Sequence, residues 1–130
     1  MQRIVLDTNI IVSSIISENG NPYKIVDMVF DDAFSIYYSL EILAEYEDVL
    51  HRERLNLNLD KVEYMLDAIR TVGVYVPHKK SDISLPDEDD RIFYDVAKSN
   101  DAILITGNTK HFPEEAFILT PAEFLDSHNE

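Results

Sequence analysis

The 130-residue chain has the length of one domain, because most domains contain about 50 to 250 residues. Its 45% hydrophobic content, with 3 Gly and 5 Pro, predicts a packed core and argues against a disordered or collagen-like chain. Cysteine is absent from the sequence, which excludes disulfides, thiolate zinc sites, iron–sulfur clusters and a cysteine nucleophile. The net charge of −14 argues against a general basic surface that binds long nucleic acids, but it permits a local site where a metal ion neutralises the acids.

The start of the chain and its apolar runs give no sign of membrane targeting. Asp7 interrupts the first apolar run too early for a signal peptide. Later apolar runs are only a few residues long, whereas a membrane span needs roughly 20 residues. We therefore expect a cytoplasmic, soluble protein without a membrane partner.

The first third of the chain alternates between strand and helix patterns. The apolar residues 4–6 predict a buried parallel strand that ends at Asp7. Apolar spacing then predicts helical segments over 10–16 and 23–30, and the Gly, Asn and Pro residues of 18–22 separate them. The next strand is predicted over 34–38.

The middle of the chain contains the strongest helix patterns. Ser39 is a candidate N-cap because its hydroxyl can accept a hydrogen bond from a free amide in the first turn. A helix is predicted over 40–54, and a second helix over 59–72 ends at Gly73. The predicted packed side of the first of these helices contains Leu40, Leu43, Ala44, Tyr46, Val49 and Leu50.

The last part of the chain repeats the alternation. Strands are predicted over 74–76, 102–105 and 117–119, with a helix over 91–99 and a terminal helix that starts at Pro121. The sequence contains no repeat, linker or low-complexity segment, so we expect a single domain over residues 1–130. This order predicts an α/β fold with three layers, α/β/α, around a central, mainly parallel five-stranded sheet of the Rossmann-like kind.

Polar residues that can carry chemistry come from four separate segments. Asp7 ends the first strand, and Thr106 and Asn108 follow the fourth. Glu45 lies on the helix after the second strand, and Asp90 leads into the helix before the fourth. Sites in open parallel sheets form beyond the carboxyl ends of the strands, so these groups converge if the first and fourth strands are neighbours.

A group of carboxylates at one place needs a cation. Two unit charges about 4 Å apart repel by about 4 kcal/mol at an effective dielectric constant near 20, so three acids would protonate or separate without one. Mg²⁺ and Mn²⁺ prefer oxygen ligands and complete their shells with water and substrate phosphates. Zinc is not favoured, because Cys is absent and the four His lack motif spacing.

Four motifs, in chain order over nearly the whole sequence, resemble those of PIN-domain ribonucleases. They are IVLDTN at 4–9, EILAEY at 41–46, PDEDDRIF at 86–93 with Ala97 further on, and ILITGN at 103–108 with KHF at 110–112. The compact chain most resembles the toxin components of prokaryotic toxin–antitoxin pairs. The resemblance implies a PIN-like fold and an Mg²⁺- or Mn²⁺-dependent endoribonuclease that hydrolyses RNA phosphodiester bonds.

The resemblance also implies roles for individual residues. Asp7, Glu45 and Asp90 would be the catalytic acids that bind the metal ion. Asn9 and Thr106 would orient these acids and their water.

The motifs leave two positions open. Many relatives carry a fourth acid where this chain has Asn108, whose amide oxygen can bind a metal ion or a water molecule but adds no charge. The sequence therefore leaves open whether a second metal ion binds and whether the turnover is high. The third acidic position is Asp90, with Asp89 as its main competitor.

The resemblance implies partners as well. Toxins of the PIN-domain kind are commonly dimeric and inhibited by a partner protein. The apolar residues between Asn9 and Asp31 are a candidate dimer face. For so acidic a chain we expect a basic antitoxin that places an Arg or Lys near Asp7 and Asp90.

Every candidate residue has a structural alternative. Asp7 can cap the helix that follows it, and Glu45 can belong to an ordinary solvated helix face. The acids at 87–90 can complement the positive end of the next helix, and residues 106–108 can form a simple turn.

Two other functions compete with the nuclease. The first is a PIN-like module that binds nucleic acid or protein without catalysis, which Asn108 and the net charge of −14 favour. The second is a receiver-like phosphoacceptor domain with an Asp at a strand end. Such domains carry adjacent acids after the first strand, where this chain has Thr8 and Asn9.

Overall fold

The computed structural model describes residues 1–128 and contains five strands and six α-helices. The strands are β1 (Gln2–Leu6), β2 (Phe34–Tyr38), β3 (Val74–Tyr75), β4 (Ile103–Ile105) and β5 (Ile118–Leu119). The helices are α1 (Thr8–Ile16), α2 (Asn21–Phe30), α3 (Leu40–Leu50), α4 (Leu59–Val72), α5 (Arg91–Ser99) and α6 (Pro121–His128). Short 3₁₀ turns occupy Glu53–Leu55, Glu88–Asp90 and Thr109–His111.

All strand pairs of the central sheet are parallel, and the strand order is β3-β2-β1-β4-β5. Ile4 of β1 pairs with Ile36 on one side and with Ile103 on the other. The chain builds the sheet outward from β1 to β3 and then crosses to the other side of β1 for β4 and β5. The switch in strand order therefore falls between β1 and β4, where α/β sheets place their ligand sites.

Helices cover both faces of the sheet. The consecutive residues Ile4, Val5 and Leu6 are all fully buried, although neighbouring side chains of a strand point to opposite faces. Both faces must then be packed, which gives three layers. The predicted α/β/α fold with its central five-stranded sheet is confirmed.

The structure corrects the predicted α3 helix in two respects. The helix ends at Leu50 instead of residue 54, because the chain turns through Glu53–Leu55 and then reaches a left-handed conformation at Asn56, with φ of 47°. The buried side of the helix consists of Ile42, Tyr46 and Leu50. Leu40, which the sequence placed on the packed side, is 63% exposed.

Within the part of the chain that the structure describes, no helix combines the length and the apolar character that a membrane span requires.

Candidate active site

Asp7 lies where the carboxyl ends of β1 and β4 meet. Its backbone N–H donates to Ile105 O over 3.0 Å, and Thr106 Oγ1 donates to Asp7 Oδ2 over 2.8 Å. Within residues 1–128 its carboxylate accepts no capping hydrogen bond from α1, although the amides of Thr8 and Asn9 are close enough to lower its pKa. Burial is the largest effect and raises the pKa of Asp7 above its usual range. Helix capping alone therefore does not account for this carboxylate.

Glu45 is placed by the start of α3 and by its neighbour Tyr46. Ser39 Oγ accepts a hydrogen bond from Ile42 N–H over 3.2 Å, so α3 begins where the sequence predicts. The buried Tyr46 hydroxyl donates to Leu6 O over 2.6 Å, which fixes the helix against the end of β1 next to Asp7.

The side chain of Glu45 is half-buried on the side of α3 that faces the other acids. Burial raises its pKa, Arg52 lowers it, and the charges of Asp48, Asp89 and Asp7 raise it further. The contribution from Asp7, which lies on another element, is the smallest of these and shows that Glu45 is within electrostatic range of it. Glu45 is therefore a candidate for the same site.

Asp90 and Asp89 differ in their surroundings, although they are adjacent in the turn before α5. The Asp90 side chain is 16% exposed, whereas Asp89 is exposed to solvent. Burial and the charges of Asp7 and Asp87 raise the pKa of Asp90 to about 6. These surroundings favour Asp90 over Asp89 as the third acid of the cluster.

Two buried side-chain oxygens, among residues 1–128, have no hydrogen-bond partner: Asp90 Oδ2 and Thr8 Oγ1. Thr8 directly follows Asp7, so both atoms belong to residues at the carboxyl edge of the sheet. Burying an unpaired polar oxygen is unfavourable. A cation that Asp90 Oδ2 could bind would remove this cost and the repulsion from Asp7.

The loop after β4 contributes Asn108 and supporting hydrogen bonds. Asn108 N–H donates to Thr106 Oγ1 over 3.1 Å, and its side-chain amide contacts His111 Nε2 over 2.9 Å. Asn9 Oδ1 accepts a hydrogen bond from Gly107 N–H over 3.3 Å. Asn9 thus links the start of α1 to this loop, and Thr106 is the residue that contacts an acid directly. These bonds make residues 106–108 more than a simple turn.

A buried polar network, which the sequence did not reveal, surrounds Arg91 and Asp95 on α5, the helix that follows Asp90. The buried Arg91 donates to Glu88 Oε2 over 2.6 Å and to Ser81 O over 3.0 Å. Asp95, also buried, accepts hydrogen bonds from Ser81 Oγ over 2.5 Å and from His78 Nε2 over 2.8 Å. The network holds residues 78–88 against α5. Its one signal in the sequence is the Arg–Asp pair at i, i+4 within a helix.

The chemistry of the donors at this edge can be compared with the ligands that divalent ions prefer. In the described part of the chain, no group of three or more Asp, Glu or His side chains is arranged so that it could hold a metal ion by itself. The donors at this edge are carboxylate and amide oxygens, which Mg²⁺ and Mn²⁺ prefer. Mg²⁺ in particular uses one or two carboxylates and takes its remaining ligands from water and substrate phosphates. The unpaired Asp90 Oδ2 and the raised pKa values of all three acids agree with such a site.

A cavity of about 570 Å³ lies elsewhere, between α1, α2 and α4. Its apolar lining includes Ile15, Phe30 and Met65, and none of the candidate site residues lines it. The cavity is therefore separate from the acidic cluster.

Comparison with known proteins identifies the family. A family model described as the PIN domain matches residues 3–110, and the chain belongs to this family. The chain is 34% identical over 109 residues to the uncharacterized protein MJ1680 of Methanocaldococcus jannaschii, across 82% of this chain and 70% of that protein. All four candidate metal-site residues, Asp7, Glu45, Asp90 and Asn108, lie inside the matched region.

A solved structure shares the fold. It is the crystal structure of VapBC2 from Rickettsia felis bound to a DNA fragment from their promoter. The two chains superpose with a TM-score of 0.58 at 19% sequence identity, over 91% of this chain and 97% of that chain. At this identity the similarity supports the PIN-like fold.

Proposed function

We propose that this protein is a metal-dependent endoribonuclease that hydrolyses RNA phosphodiester bonds and serves as the toxin of a toxin–antitoxin pair. PIN domains are generally nucleases, which supports the reaction class. The proposal depends most on one observation: the charge of Asp7, at the edge where β1 and β4 end, raises the pKa of both Glu45 and Asp90, which come from two other segments. A cytoplasmic location, where RNA is available, is part of the proposal.

Asp7, Glu45 and Asp90 would hold Mg²⁺ or Mn²⁺, and Asn108 would contribute its amide oxygen, directly or through water. When bound, such an ion lowers the pKa of a water molecule and offsets the charge that develops on a phosphoryl group. Thr106 keeps the Asp7 carboxylate in one orientation, and Tyr46 fixes the helix that carries Glu45. Asn9 holds the loop on which Asn108 lies.

An inhibitory antitoxin is the proposed protein partner. The similar fold of VapBC2, solved with DNA from their promoter, supports a partner of this kind. The net charge of −14 favours a basic partner, and the raised pKa values of Asp7 and Asp90 favour an inserted Arg or Lys, which would relieve the repulsion between them. A weak dependence of the complex on salt concentration would contradict this arrangement.

A homodimer also belongs to the proposal. The apolar residues of α1 and α2 are largely in the core, including Ile11, Ile25 and Val29, whereas Ile16 at the end of α1 is exposed. The predicted dimer face is therefore smaller than the sequence pattern suggests. Sedimentation of the purified chain at several concentrations tests whether this face is sufficient to form a dimer.

A binding module without catalysis is the second candidate function. The neutral Asn108 favours it, because the amide adds no charge to the cluster. The match to the PIN family argues against the third candidate, the receiver-like phosphoacceptor domain.

Cleavage of a labelled RNA by the purified chain, free of any partner, separates the first two candidates. We expect cleavage with Mg²⁺ or Mn²⁺, none with EDTA, and a loss of at least about 100-fold in Asp7→Asn. The matched control is Asp101→Asn, because Asp101 precedes β4 and therefore lies at the opposite edge of the sheet. A wild-type chain that binds Mn²⁺ but cleaves no RNA would favour the binding module.

A further inference from the structure

His111 lies between two residues of the candidate metal site, and the proposed function gives it no role. It ends the 3₁₀ turn Thr109–His111, and its side chain is 57% exposed. Its Nε2 is 2.9 Å from Asn108 Nδ2, and its Nδ1 is 3.8 Å from Asp90 Oδ2. The ring therefore contacts one candidate ligand and faces the other.

The hydrogen bond to Asn108 determines which His111 nitrogen carries the proton. In the orientation that the structure gives the Asn108 amide, its nitrogen can only donate, so Nε2 of a neutral His111 ring accepts and the ring proton is on Nδ1. The Nδ1–H then faces Asp90 Oδ2, the buried oxygen without a hydrogen-bond partner among residues 1–128. The same bond uses the nitrogen of the Asn108 amide and leaves its oxygen available.

These contacts form a path that starts at one acid and ends facing a second acid far away in sequence. From Asp7 the path runs to Thr106 Oγ1 over 2.8 Å, and from there to the Asn108 backbone N–H over 3.1 Å. It continues from the Asn108 side chain to His111 and ends facing Asp90. Asn108, the neutral residue of the cluster, is thus bonded to Thr106 through its backbone and contacts His111 through its side chain.

We propose that His111 is a positioning residue of the metal site, which orients the Asn108 amide oxygen towards a divalent ion and directs a donor at Asp90. The inference rests on the proposed function for the identity of the site. It explains how a neutral residue at position 108 can contribute to a site whose other candidate ligands are acids. The role requires one acceptor and one donor on the residue, and it requires no positive charge.

Mn²⁺ affinity of the purified chain at pH 8, measured by calorimetry, tests the role independently of RNA cleavage. We expect His111→Ala to weaken binding about tenfold, because removal of a side chain that orients a ligand typically costs about 10- to 100-fold in metal affinity. His111→Gln, which supplies both an acceptor and a donor, should remain within about threefold of wild type. Lys110→Ala is the matched control in the same turn, and it should not weaken binding.

The direction of the change separates positioning from simple charge. A His111 that acted only as a nearby cation would repel Mn²⁺, so its removal would tighten binding. Because His111 is proposed to act partly through Asn108, its replacement by Ala should weaken Mn²⁺ binding less in an Asn108→Ala background than in the wild-type chain. ¹⁵N NMR of the metal-free chain should show the Nδ1–H tautomer of His111, and His111→Ala should change the side-chain amide signal of Asn108.

Unchanged or tighter Mn²⁺ binding in His111→Ala would overturn the inference, and so would His111→Gln binding as weakly as His111→Ala. If the expected affinities are found but the wild-type chain cleaves no RNA, the proposed nuclease function fails and the role of His111 stands. If the wild-type chain cleaves RNA and His111→Ala binds Mn²⁺ normally, the proposed nuclease function stands and the role of His111 fails.

Discussion

The hydroxyl of Thr106 donates a hydrogen bond to the carboxylate of Asp7 across 2.8 Å, although the two residues are 99 positions apart in the chain. Thr106 is fully buried, and its own backbone N–H donates to Leu119 O over 3.0 Å. The bond joins the ends of the two strands on either side of the switch in strand order. The orientation of the Asp7 carboxylate therefore depends on residues from both halves of the sheet.

Removal of the Thr106 hydroxyl should raise the pKa of Asp7 further and loosen its orientation. In Thr106→Val we expect a loss of about 1–2 kcal/mol in the free energy of unfolding at pH 7, because the buried carboxylate loses a donor. RNA cleavage should fall as well. Urea unfolding and single-turnover cleavage measure the two effects.

Thr106→Ser is the control for this change, because it retains the hydroxyl. Its stability and cleavage rate should stay closer to those of wild type than those of Thr106→Val. Equal losses in both variants would assign the effect to packing of the methyl group.

Tyr46→Phe should destabilise the protein through a single hydrogen bond. The substitution leaves Leu6 O without the Tyr46 hydroxyl, and an unsatisfied buried group costs about 1–3 kcal/mol. The matched control is Tyr64→Phe, because Tyr64 is 71% exposed and lies on another helix. Chemical denaturation of both variants measures the difference, and equal effects would contradict a specific contribution from Tyr46.

The free energy of unfolding of the metal-free protein should depend on pH through the ionisation of Asp90. Burial and the charges of Asp7 and Asp87 raise its folded-state pKa to about 6, from 3.8. A raised carboxyl pKa means that the folded state holds the proton more tightly than the unfolded state. The contribution of Asp90 therefore becomes unfavourable as the pH rises from about 4 to above 6.

Asp90→Asn should then be more stable than wild type at pH 7.5, on the order of 1–2 kcal/mol after allowance for solvent screening, with little difference at pH 3.5. Denaturation in EDTA at several pH values measures this difference. A stability gain that is the same at every pH would show that the charge of Asp90 is not its source.

Mn²⁺ should stabilise the wild-type chain, because a ligand that binds only the folded state raises the melting temperature with concentration. The increase should vanish on addition of EDTA and be much smaller in Glu45→Gln. Glu41→Gln is the matched control, since Glu41 is an exposed acid one helical turn earlier on α3. Equal shifts in the two variants, measured by thermal denaturation, would remove Glu45 from the site.

Local sequence patterns are sufficient for most of the fold. The strand over 34–38 and the helices over 59–72 and 91–99 have the predicted bounds, because each depends on apolar spacing and on nearby stop signals. The end of α3 does not follow from spacing, since it depends on a 3₁₀ turn and a left-handed Asn56. The exposure of Leu40 also depends on which elements pack against the helix, and a helix pattern does not specify them.

The sequence by itself determined the alternation of strands and helices, the motifs of the PIN family and the placement of Asp7, Asp90 and Asn108 at the ends of elements. These features follow from residue chemistry over short stretches of chain. Only the tertiary structure decided that Asp90 is buried with an unpaired oxygen, that Tyr46 bonds to Leu6 and that His111 lies between Asn108 and Asp90. Burial and these long-range contacts arise from the packing of segments distant in sequence, and no local pattern encodes them.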